Sequence, residues 1–432
     1  MMVYQVNPAK KIKGEIKVPG DKSISHRSLI LASIAEGESK IEGLLEAEDC
    51  LSTMGIMRDL GIEIIKEAES KYTVQGKGLD GLKEADNVLD CGNSGTSMRL
   101  LAGLLASQDF YSVLTGDHSL RKRPMQRIIG PLSKMGAQIW SRKDGLAPLS
   151  IQGQNLEAMK EYELPVASAQ LKSSILLGAL KTEAETVIIE PAVSRDHTER
   201  MLQGAGVDLE ILPDRIILKK AAERKLKPFN INVPGDISSA AFFIAAGLLA
   251  DEGELLIKNV GINQTRSGFL EVVEAMEGRL ELLNQKDQGG EPTADILVKP
   301  SKLKGTEVSG GLIPRLIDEI PIISVMAVFA EGKTVIKDAE ELRVKETDRI
   351  KAVVNEFNRL GIEIKENEDG MEIAGPQQVE GGIEVKSYHD HRIAMSLAVL
   401  ALNSEKGITI GGSEIIATSF PNFKELLIEV IG

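Results

Sequence analysis

Several short segments of the chain combine cations and hydroxyls at points where a helix is predicted to begin. In the first, Val18–Arg27, a strand ends and the cap Asp21 leads into an apolar helix that carries Lys22, Ser23 and Arg27. The backbone N–H groups at a helix start and the positive end of the helix dipole attract an anion, and the two cations add full charge. Alone, the segment is typical of an ordinary helix cap. With the segments below, it predicts an anion site.

Five later segments repeat this combination of charge and helix start. They are Asp90–Arg99 with Gly95, Leu120–Met125 with Arg123, Ser168–Ser174 with Ala169 and Gln170, Leu342–Arg349 with Lys345 and Glu346, and His389–Arg392. The glycine-rich turn around Gly95 contains neither a P-loop nor a dinucleotide fingerprint. Each segment alone is equally typical of a capped turn or a solvated loop. Together, in an acidic protein, they predict a cleft for one or more multiply charged anions.

Two acids stand out as candidates for proton transfer. Asp318 lies beside a second carboxylate, Glu319, in the otherwise apolar run Leu316–Pro321, and apolar neighbours tend to raise the pKa of an acid, as proton transfer requires. Glu346 lies next to the cations of its own segment. His389 and His391 flank a carboxylate, but no further cluster of His or Cys supports a metal site, and none is predicted.

Composition excludes several classes of partner. The net charge of −13 and an aromatic content of 3% argue against a general nucleic-acid or anionic-membrane surface. The longest apolar runs, 240–250 and 320–330, are too short to span a bilayer, and residues 1–14 contain no apolar signal core. Cys50 and Cys91 show no CxxC spacing, which suits a reducing compartment. A cytoplasmic protein is predicted.

Repeats indicate how these segments are positioned. Val18-Pro19-Gly20-Asp21 recurs as Val233-Pro234-Gly235-Asp236, again before an apolar run, but without the cations. Five amphipathic helices, spaced by roughly 70–80 residues, each end in a similar stop such as Leu60-Gly61-Ile62, after which an alternating strand begins. These helices are predicted at Cys50–Leu60, Met125–Met135, His197–Gly204, Gly268–Met276 and Ile350–Leu360. This pattern predicts an α/β protein built from about six βαβαββ repeats. At 432 residues, two domains of three repeats each are expected.

In order along the chain, these pieces closely resemble the 5-enolpyruvylshikimate-3-phosphate synthase family over essentially the whole length. The matching pieces are Gly20-Asp21-Lys22-Ser23, Asn93-Ser94-Gly95-Thr96, Arg123-Pro124-Met125, Ser168-Ala169-Gln170-Leu171-Lys172, Arg195-Asp196-His197-Thr198-Glu199, Asn263-Gln264-Thr265-Arg266, Arg343-Val344-Lys345-Glu346-Thr347-Asp348-Arg349 and Asp390-His391-Arg392. The Asp-Lys-Ser, Ser-Ala-Gln-x-Lys, Arg-x-His-x-Glu and Asn-x-Thr-Arg pieces resemble its class II, often glyphosate-tolerant, branch.

The resemblance implies a two-domain inverse α/β barrel, the enolpyruvyl transferase fold, with three βαβαββ repeats in each domain. Domain 1 is expected at residues 21–233, and domain 2 at residues 1–20 together with 234–432, with a hinge near Gly20 and Pro234.

The resemblance also implies transfer of the enolpyruvyl group of phosphoenolpyruvate to the 5-hydroxyl of shikimate 3-phosphate, with release of phosphate and no cofactor or metal. This reaction belongs to the shikimate pathway, which leads to chorismate and the aromatic amino acids. By the family pattern, shikimate 3-phosphate is bound by Lys22, Ser23, Arg27, Ser168, Ala169, Gln170, Asp318 and Lys345, and phosphoenolpyruvate by Lys22, Gly95, Arg123, Gln170, Arg349 and Arg392.

Chemistry adds roles to this pattern. Attack of the hydroxyl on C2 needs a base, for which Asp318 is predicted, and C3 must gain and then lose a proton. Lys22 and Glu346 are the candidates for that proton traffic and for the leaving phosphate. Small anionic substrates are the only partners expected, and the expected state is a monomer.

The chain departs from the family pattern at two places. Many members carry Lys just before the C-terminal Phe-Pro, where this chain has Thr418-Ser419, and many carry Asn where this chain has Glu341. The sequence therefore predicts that one phosphate or carboxylate contact in domain 2 differs here.

Three other functions fit the sequence less well. The related UDP-N-acetylglucosamine enolpyruvyl transferases usually carry Cys before Arg-Pro, whereas Gly116–Arg123 contains none. An RNA-end cyclase-like relative is disfavoured by the acidic charge and the scarce aromatics. A catalytically inactive binding protein is disfavoured because Asp318, Glu346 and Lys22 are all present.

Overall fold

The computed structural model describes residues 2–431, which form two compact units. Unit I comprises residues 20–233 and 288–291, and unit II comprises residues 2–19, 234–287 and 292–431. The chain thus passes between the units after Pro19 and after Val233, and again on either side of residues 288–291. Movement about these positions stays a prediction. No helix within residues 2–431 has both the length and the apolar character needed to cross a membrane.

The helices of the described chain follow the predicted amphipathic and apolar segments. They are α1 (Lys22–Ser33), α2 (Glu48–Asp59), α3 (Gly95–Ala106), α4 (Gln126–Lys134), α5 (Ala169–Ala179), α6 (His197–Gly204), α7 (Ile237–Leu249), α8 (Gly268–Ala275), α9 (Ile313–Leu316), α10 (Ile320–Phe329), α11 (Arg349–Arg359), α12 (His391–Leu402) and α13 (Phe423–Val430).

The strands are β1 (Val3–Val6), β2 (Gly14–Ile16), β3 (Glu36–Glu42), β4 (Glu63–Ala68), β5 (Lys71–Lys77), β6 (Leu89–Asp90), β7 (Tyr111–Thr115), β8 (Gln138–Arg142), β9 (Leu146–Gln152), β10 (Tyr162–Glu163), β11 (Thr186–Ile189), β12 (Leu209–Ile211), β13 (Arg215–Leu218), β14 (Asn230–Asn232), β15 (Leu255–Gly261), β16 (Arg279–Gln288), β17 (Glu291–Lys299), β18 (Glu307–Val308), β19 (Gly332–Ile336), β20 (Ile364–Asn367), β21 (Gly370–Gly375), β22 (Glu384–Lys386) and β23 (Ile408–Gly411).

These strands form six small sheets in the described residues, three in each unit. Unit I contains the sheets β14-β3-β5-β4, β6-β7-β9-β8 and β10-β11-β13-β12. Unit II contains β16-β17-β15-β2, β18-β19-β21-β20 and β1-β23-β22. In each sheet two strands pair in parallel, as β6 does with β7 and β18 with β19. Helix α3 connects β6 to β7, and helices α9 and α10 connect β18 to β19, as the long crossover between parallel strands requires. The predicted α/β class and repeated βαβαββ architecture are confirmed.

Two sheets are completed by the segments that precede the duplicated Val-Pro-Gly-Asp motif. Strand β2 pairs in parallel with β15 of unit II, and β14 pairs in parallel with β3 of unit I. After each strand the chain turns, and an aspartate caps the next helix. Asp21 Oδ1 accepts from Ile24 N at 2.8 Å, and Asp236 Oδ1 accepts from Ser238 N at 2.8 Å. The motif copies are therefore equivalent strand-to-helix turns.

Each unit is built around three helices that are buried on nearly all sides. These are α1, α3 and α5 in unit I, and α7, α10 and α12 in unit II. The other long helices expose one face, as amphipathic helices do at the surface. The N-termini of the buried helices carry most of the segments singled out above, so those segments are held by the cores of the two units.

The repeated helix stop has a clear backbone cause. Gly61, Gly136, Gly206 and Gly361 all adopt positive φ just after their helices, which glycine does at little cost. In the fourth copy the same position is Glu277, with φ of 59°. The backbone pattern of the repeat is thus kept even where its glycine is lost.

Candidate active site

In unit I, the start of α1 presents the first cluster of predicted residues. Lys22 Nζ lies 3.2 Å from Asp49 Oδ2 on α2, and both side chains keep some exposure. Arg27 is buried instead. Its Nε donates to Thr198 Oγ1 at 2.6 Å, its Nη1 to the Ser23 carbonyl at 3.0 Å, and its Nη2 to Ser173 Oγ at 2.9 Å. Lys22 is therefore the more accessible cation of this cluster.

Burial also changes the acidity of this cluster. Desolvation lowers the pKa of Arg27 to about 10, against the opposing pull of Glu199 and Asp21, so its guanidinium remains charged at neutral pH. Desolvation, and then the charges of Lys22 and Arg27, hold the pKa of His26 well below its usual range. His26 is consequently a neutral, structural side chain, and its Nδ1 lies 2.7 Å from Thr53 Oγ1 on α2.

The N-termini of α3 and α5 lie side by side. A side chain at Gly103 would collide with the carbonyl of Ser174, so the two helices pack through their backbones. At the start of α5, Gln170 Nε2 donates to Thr96 Oγ1 at 2.9 Å, and Arg99 Nη1 donates to Gln170 Oε1. Both ends of the Gln170 amide are thus fixed by the first turns of α3.

Hydroxyls and small residues complete these helix starts. Ser94 caps α3, and its Oγ accepts from Ser97 N at 3.1 Å. Ser168 caps α5 and accepts from Leu171 N at 3.4 Å, and Ala169 is the first residue of that helix. Near Gly95, Arg123 Nη2 donates to Asn93 Oδ1 at 2.9 Å. The unit I residues predicted to bind substrate therefore lie at three helix N-termini and one adjoining loop.

In unit II, the adjacent acids Asp318 and Glu319 differ sharply. Glu319 is 1% exposed and is held by Arg266 through two hydrogen bonds of 2.8 and 3.2 Å. Asp318 keeps 15% side-chain exposure. Asp318 is thus the more exposed acid of this pair, whereas Glu319 is a buried partner of Arg266.

The surroundings of Asp318 differ from the apolar environment that the sequence predicted. Its Oδ1 lies 3.2 Å from Arg349 Nη1 and 3.9 Å from Lys345 Nζ, and its Oδ2 lies 3.9 Å from Arg392 Nη2. Its apolar neighbours in the sequence, Ile317 and Ile320, are buried. The three cations stabilise the ionised carboxylate, which is the form that a base requires.

Arg349 is the centre of the unit II cluster. Its side chain is 1% exposed, and it pairs with Asp390 at 2.8 Å, with Glu346 at 2.7 Å and with Asp318 at 3.2 Å. Desolvation opposes the charge, but these three carboxylates outweigh it and raise the pKa of Arg349 above its usual range. Arg349 is thus a fixed cation around which the predicted acids Asp318 and Glu346 are arranged.

The two departures from the family pattern have local partners. Lys345 lies 3.6 Å from Glu341 Oε1 as well as near Asp318, so Glu341 shares the charge of this lysine. Thr418, at the position of the expected lysine, donates to the Ile415 carbonyl at 2.7 Å. The nearby Lys424 lies over the Tyr4 ring, 4.7 Å from its centroid.

Sequence reasoning missed several residues that support these clusters. Asp49 with Lys22, Arg99 with Gln170, and Asp390 with Arg349 are contacts between segments distant in the chain. Arg99 and Asp390 belong to the motifs that the sequence singled out, which was the available signal. Asp49 is one of two acids in the first turn of α2, and no motif in the sequence pointed to it.

The metal-ligating side chains are dispersed within the described residues, and the two cysteines are buried. Within residues 2–431, no three His, Cys, Asp or Glu side chains come together as metal ligands would. Cys50 and Cys91 are buried and form no disulfide, and burial raises the pKa of the Cys91 thiol.

Comparison with known proteins gives a consistent result. The family model for EPSP synthase (3-phosphoshikimate 1-carboxyvinyltransferase) matches residues 6–427. The 3-phosphoshikimate 1-carboxyvinyltransferase of Citrifermentans bemidjiense is 52% identical over 432 residues and covers 100% of both chains. The Petrotoga mobilis protein of the same name is 50% identical over 426 residues, covering 98% of each chain.

Solved structures agree with these relatives. EPSP synthase from Acinetobacter baumannii superposes with a TM-score of 0.89 at 45% identity, covering 99% of this chain and 98% of that one. The enolpyruvyl transferase NikO of Streptomyces tendae has a TM-score of 0.81 at 18% identity, covering 99% and 97%, and supports the fold alone.

Proposed function

The chain belongs to the EPSP synthase (3-phosphoshikimate 1-carboxyvinyltransferase) family, and from this premise we propose how its own residues divide the work of the reaction. The protein is a transferase of the shikimate pathway that moves the enolpyruvyl group of phosphoenolpyruvate to the 5-hydroxyl of shikimate 3-phosphate and releases phosphate. The assignment of residues to steps is the proposal.

Asp318 is the proposed general base. It takes the proton of the 5-hydroxyl while the oxygen bonds to C2 of phosphoenolpyruvate and C3 gains a proton. The observation that carries this role is the position of its carboxylate, partly exposed and 3.2–3.9 Å from the cations of Arg349, Lys345 and Arg392. Glu319, one residue later, is committed to Arg266 and is not available for the role.

Glu346 and Lys22 are the proposed groups for the proton at C3 and for the leaving phosphate. In the second step the C2–O bond to phosphate breaks and C3 returns its proton, so the group at C3 must both donate and accept. Glu346 is held at 2.7 Å by Arg349, and Lys22 at 3.2 Å by Asp49. Such contacts fix side-chain geometry, which general acid–base catalysis requires.

Phosphoenolpyruvate carries a phosphate and a carboxylate, both suited to the planar fork of arginine. We assign Arg123, Arg349 and Arg392 to it, with Lys22, Gly95 and Gln170. In support, Arg392 is the second residue of buried helix α12, and Gly95 is the first residue of α3, so helix dipoles reinforce these positions.

Shikimate 3-phosphate is assigned to the starts of α1 and α5 in unit I and to two residues of unit II. The unit I residues are Lys22, Ser23, Arg27, Ser168, Ala169 and Gln170, and the unit II residues are Asp318 and Lys345. The fixed Gln170 amide and the capping hydroxyl of Ser168 support this assignment. Like Arg349, which three carboxylates surround, Arg27 already has its guanidinium occupied, in its case by three internal hydrogen bonds. We therefore expect it to orient Ser23 and Ser173 as much as to touch the ligand.

Phosphate release from phosphoenolpyruvate, measured with mass spectrometry of the product, tests the reaction. One phosphate should appear per shikimate 3-phosphate consumed, and none with phosphoenolpyruvate alone. Release supported by UDP-N-acetylglucosamine instead would overturn the assignment. Release from phosphoenolpyruvate alone would indicate a phosphatase.

We also propose a cytoplasmic monomer. Two buried cysteines that form no disulfide suit a reducing compartment, and a net charge of −13 disfavours self-association. Light scattering at micromolar concentration should give the mass of one chain, 46.7 kDa, and twice that mass would refute the monomer.

A further inference from the structure

The turn between β22 and α12 has an unusual backbone. Tyr388 and His389 are consecutive non-glycine residues with φ of 54° and 55°. The left-handed region is unfavourable for residues with a Cβ, and especially for a bulky one such as tyrosine. Such a turn persists only where its surroundings hold it. Directly after it come Asp390, which caps α12, and Arg392, which is assigned to phosphoenolpyruvate.

A buried carboxylate on α11 holds this turn. Glu356 is 0% exposed, and its Oε1 accepts from the Tyr388 hydroxyl at 2.7 Å. Its Oε2 accepts from the backbone N–H of Lys386, at the end of β22, at 3.1 Å. Glu356 thus ties both the incoming strand and the left-handed tyrosine to one helix.

This turn also fixes Asp390, which contacts both of the unit II arginines assigned to phosphoenolpyruvate. Asp390 Oδ1 accepts from the backbone N–H of Arg392 at 2.9 Å, which caps α12, and Asp390 Oδ2 accepts from Arg349 Nε at 2.8 Å. A shift of Asp390 would therefore turn the Arg349 guanidinium and move the first turn of α12 together.

Helix α11 links the two ends of this arrangement. Arg349 and Glu356 are seven residues apart, close to two helical turns, so both lie on the buried face of the same helix. The helix meets the segment 386–392 twice, once through Arg349 with Asp390 and once through Glu356 with Tyr388 and Lys386. Two contacts on one rigid helix set the position of that segment.

We propose that Glu356 and Tyr388 are positioning residues for phosphoenolpyruvate: by holding the strained turn before α12, they set Asp390 and thereby the geometry of Arg349 and Arg392. This inference rests on the proposed assignment of those two arginines. Neither Glu356 nor Tyr388 touches substrate in this account. Loss of the tether leaves the protein folded but lowers the fraction of molecules with a competent site. The apparent KM rises in inverse proportion to that fraction.

The first test is Tyr388→Phe, which removes only the hydroxyl. The KM for phosphoenolpyruvate should rise about tenfold, as expected for loss of a hydrogen bond to a charged group. The dissociation constant of shikimate 3-phosphate alone should change less than about twofold. The matched control is Tyr72→Phe, because the Tyr72 hydroxyl also donates to a glutamate, Glu46, at 2.7 Å, but in unit I. The control should leave the KM for phosphoenolpyruvate unchanged.

A second pair of variants tests the strain itself. Tyr388→Ala and Tyr388→Gly both lose the ring and the hydroxyl, but only glycine adopts a positive φ without penalty. If the tether works by holding a strained turn, the glycine variant should have a KM for phosphoenolpyruvate at least about threefold lower than the alanine variant. A residue needed only for packing predicts the reverse order, because glycine adds flexibility without restoring any contact.

The outcomes separate failure of this inference from failure of the site assignment. Arg392→Lys should raise the KM for phosphoenolpyruvate if that arginine binds it. If Arg392→Lys raises this KM but Tyr388→Phe does not, the positioning role is overturned. If Arg392→Lys has no effect, the assignment of Arg392, and with it the premise of this inference, is overturned. An equal rise for Tyr72→Phe and Tyr388→Phe would also refute it.

Discussion

Gly95→Ala adds a single methyl group at a defined place. Gly95 is the first residue of α3, directly after the cap Ser94. A Cβ placed there lies 3.5 Å from Arg123 Nη1, 3.8 Å from Arg99 Nη1 and 3.8 Å from Leu120 Cδ1, all ordinary van der Waals distances. The ligand-free fold therefore accepts the methyl group without a clash. We expect the melting temperature to stay the same or rise slightly, since alanine favours a helix over glycine by at most about 1 kcal/mol.

The added methyl group is instead expected to weaken ligand binding. Phosphoenolpyruvate is assigned to the bare Cα of Gly95, and the family resemblance places the slightly longer glyphosate in the same space. The methyl group should hinder the longer molecule more. One close contact in such discrimination is worth about 1–3 kcal/mol, a factor of about 5 to 150. The fold increase in the inhibition constant of glyphosate should therefore exceed the fold increase in the KM for phosphoenolpyruvate by that factor. A parent that already tolerates glyphosate, as the class II resemblance implies, would bring the ratio toward the lower figure.

Steady-state inhibition of both proteins at matched shikimate 3-phosphate measures the two factors. Equal factors for glyphosate and phosphoenolpyruvate would mean that Gly95 does not line a shared pocket. A fall in melting temperature of several degrees would contradict the expectation that the ligand-free fold accepts the methyl group, because it would show that the space around the Cβ is smaller than the distances indicate.

Three further predictions concern stability and charge. His26 is buried and neutral, with a lowered pKa. Below about pH 6.5 the unfolded state therefore binds a proton at this histidine that the folded state does not bind. The free energy of unfolding should fall there by up to about 1.4 kcal/mol per pH unit. Urea unfolding of His26→Asn should lack this slope, and an unchanged slope would contradict the neutral assignment. Arg266→Met leaves the buried Glu319 without its bidentate partner and should lower the free energy of unfolding by about 3–5 kcal/mol, whereas a loss below about 1 kcal/mol would refute the pair's structural role. Glu341→Gln removes a carboxylate 3.6 Å from Lys345 and should lower the KM for shikimate 3-phosphate about twofold, since such exposed pairs contribute under about 1 kcal/mol; a higher KM would mean that Glu341 orients the lysine.

The repeated architecture could be predicted from the sequence because its signals are local. Helix α6 begins and ends where the amphipathic pattern and the following Gly206 predicted, at His197–Gly204. Helix α2 begins at Glu48, earlier than the predicted Cys50, because the acids of its first turn lie outside the apolar pattern. The apolar pattern also predicts a strand over Tyr162–Val166, but β10 ends at Glu163, since the intervening Pro165 has no N–H to donate to a sheet.

The candidate residues were identifiable by their type, but their partners were not. Nothing in the local sequence distinguishes Asp318 from Glu319. The distinction comes from Arg266, 53 residues from Glu319 along the chain. Likewise Arg349 and Asp390 are 41 residues apart, and only the folded chain brings them to 2.8 Å. Long-range pairing of charges depends on packing, which residue type and spacing do not encode.

Asp318→Asn tests whether Asp318 is the general base. The amide keeps the shape and some hydrogen bonding of the side chain but cannot take a proton at neutral pH. We predict that kcat falls about 10²–10⁴-fold, a typical loss for a general base, while the dissociation constant of shikimate 3-phosphate, measured by calorimetry, changes far less. Equal losses in turnover and in binding would contradict the claim and make Asp318 a binding residue only.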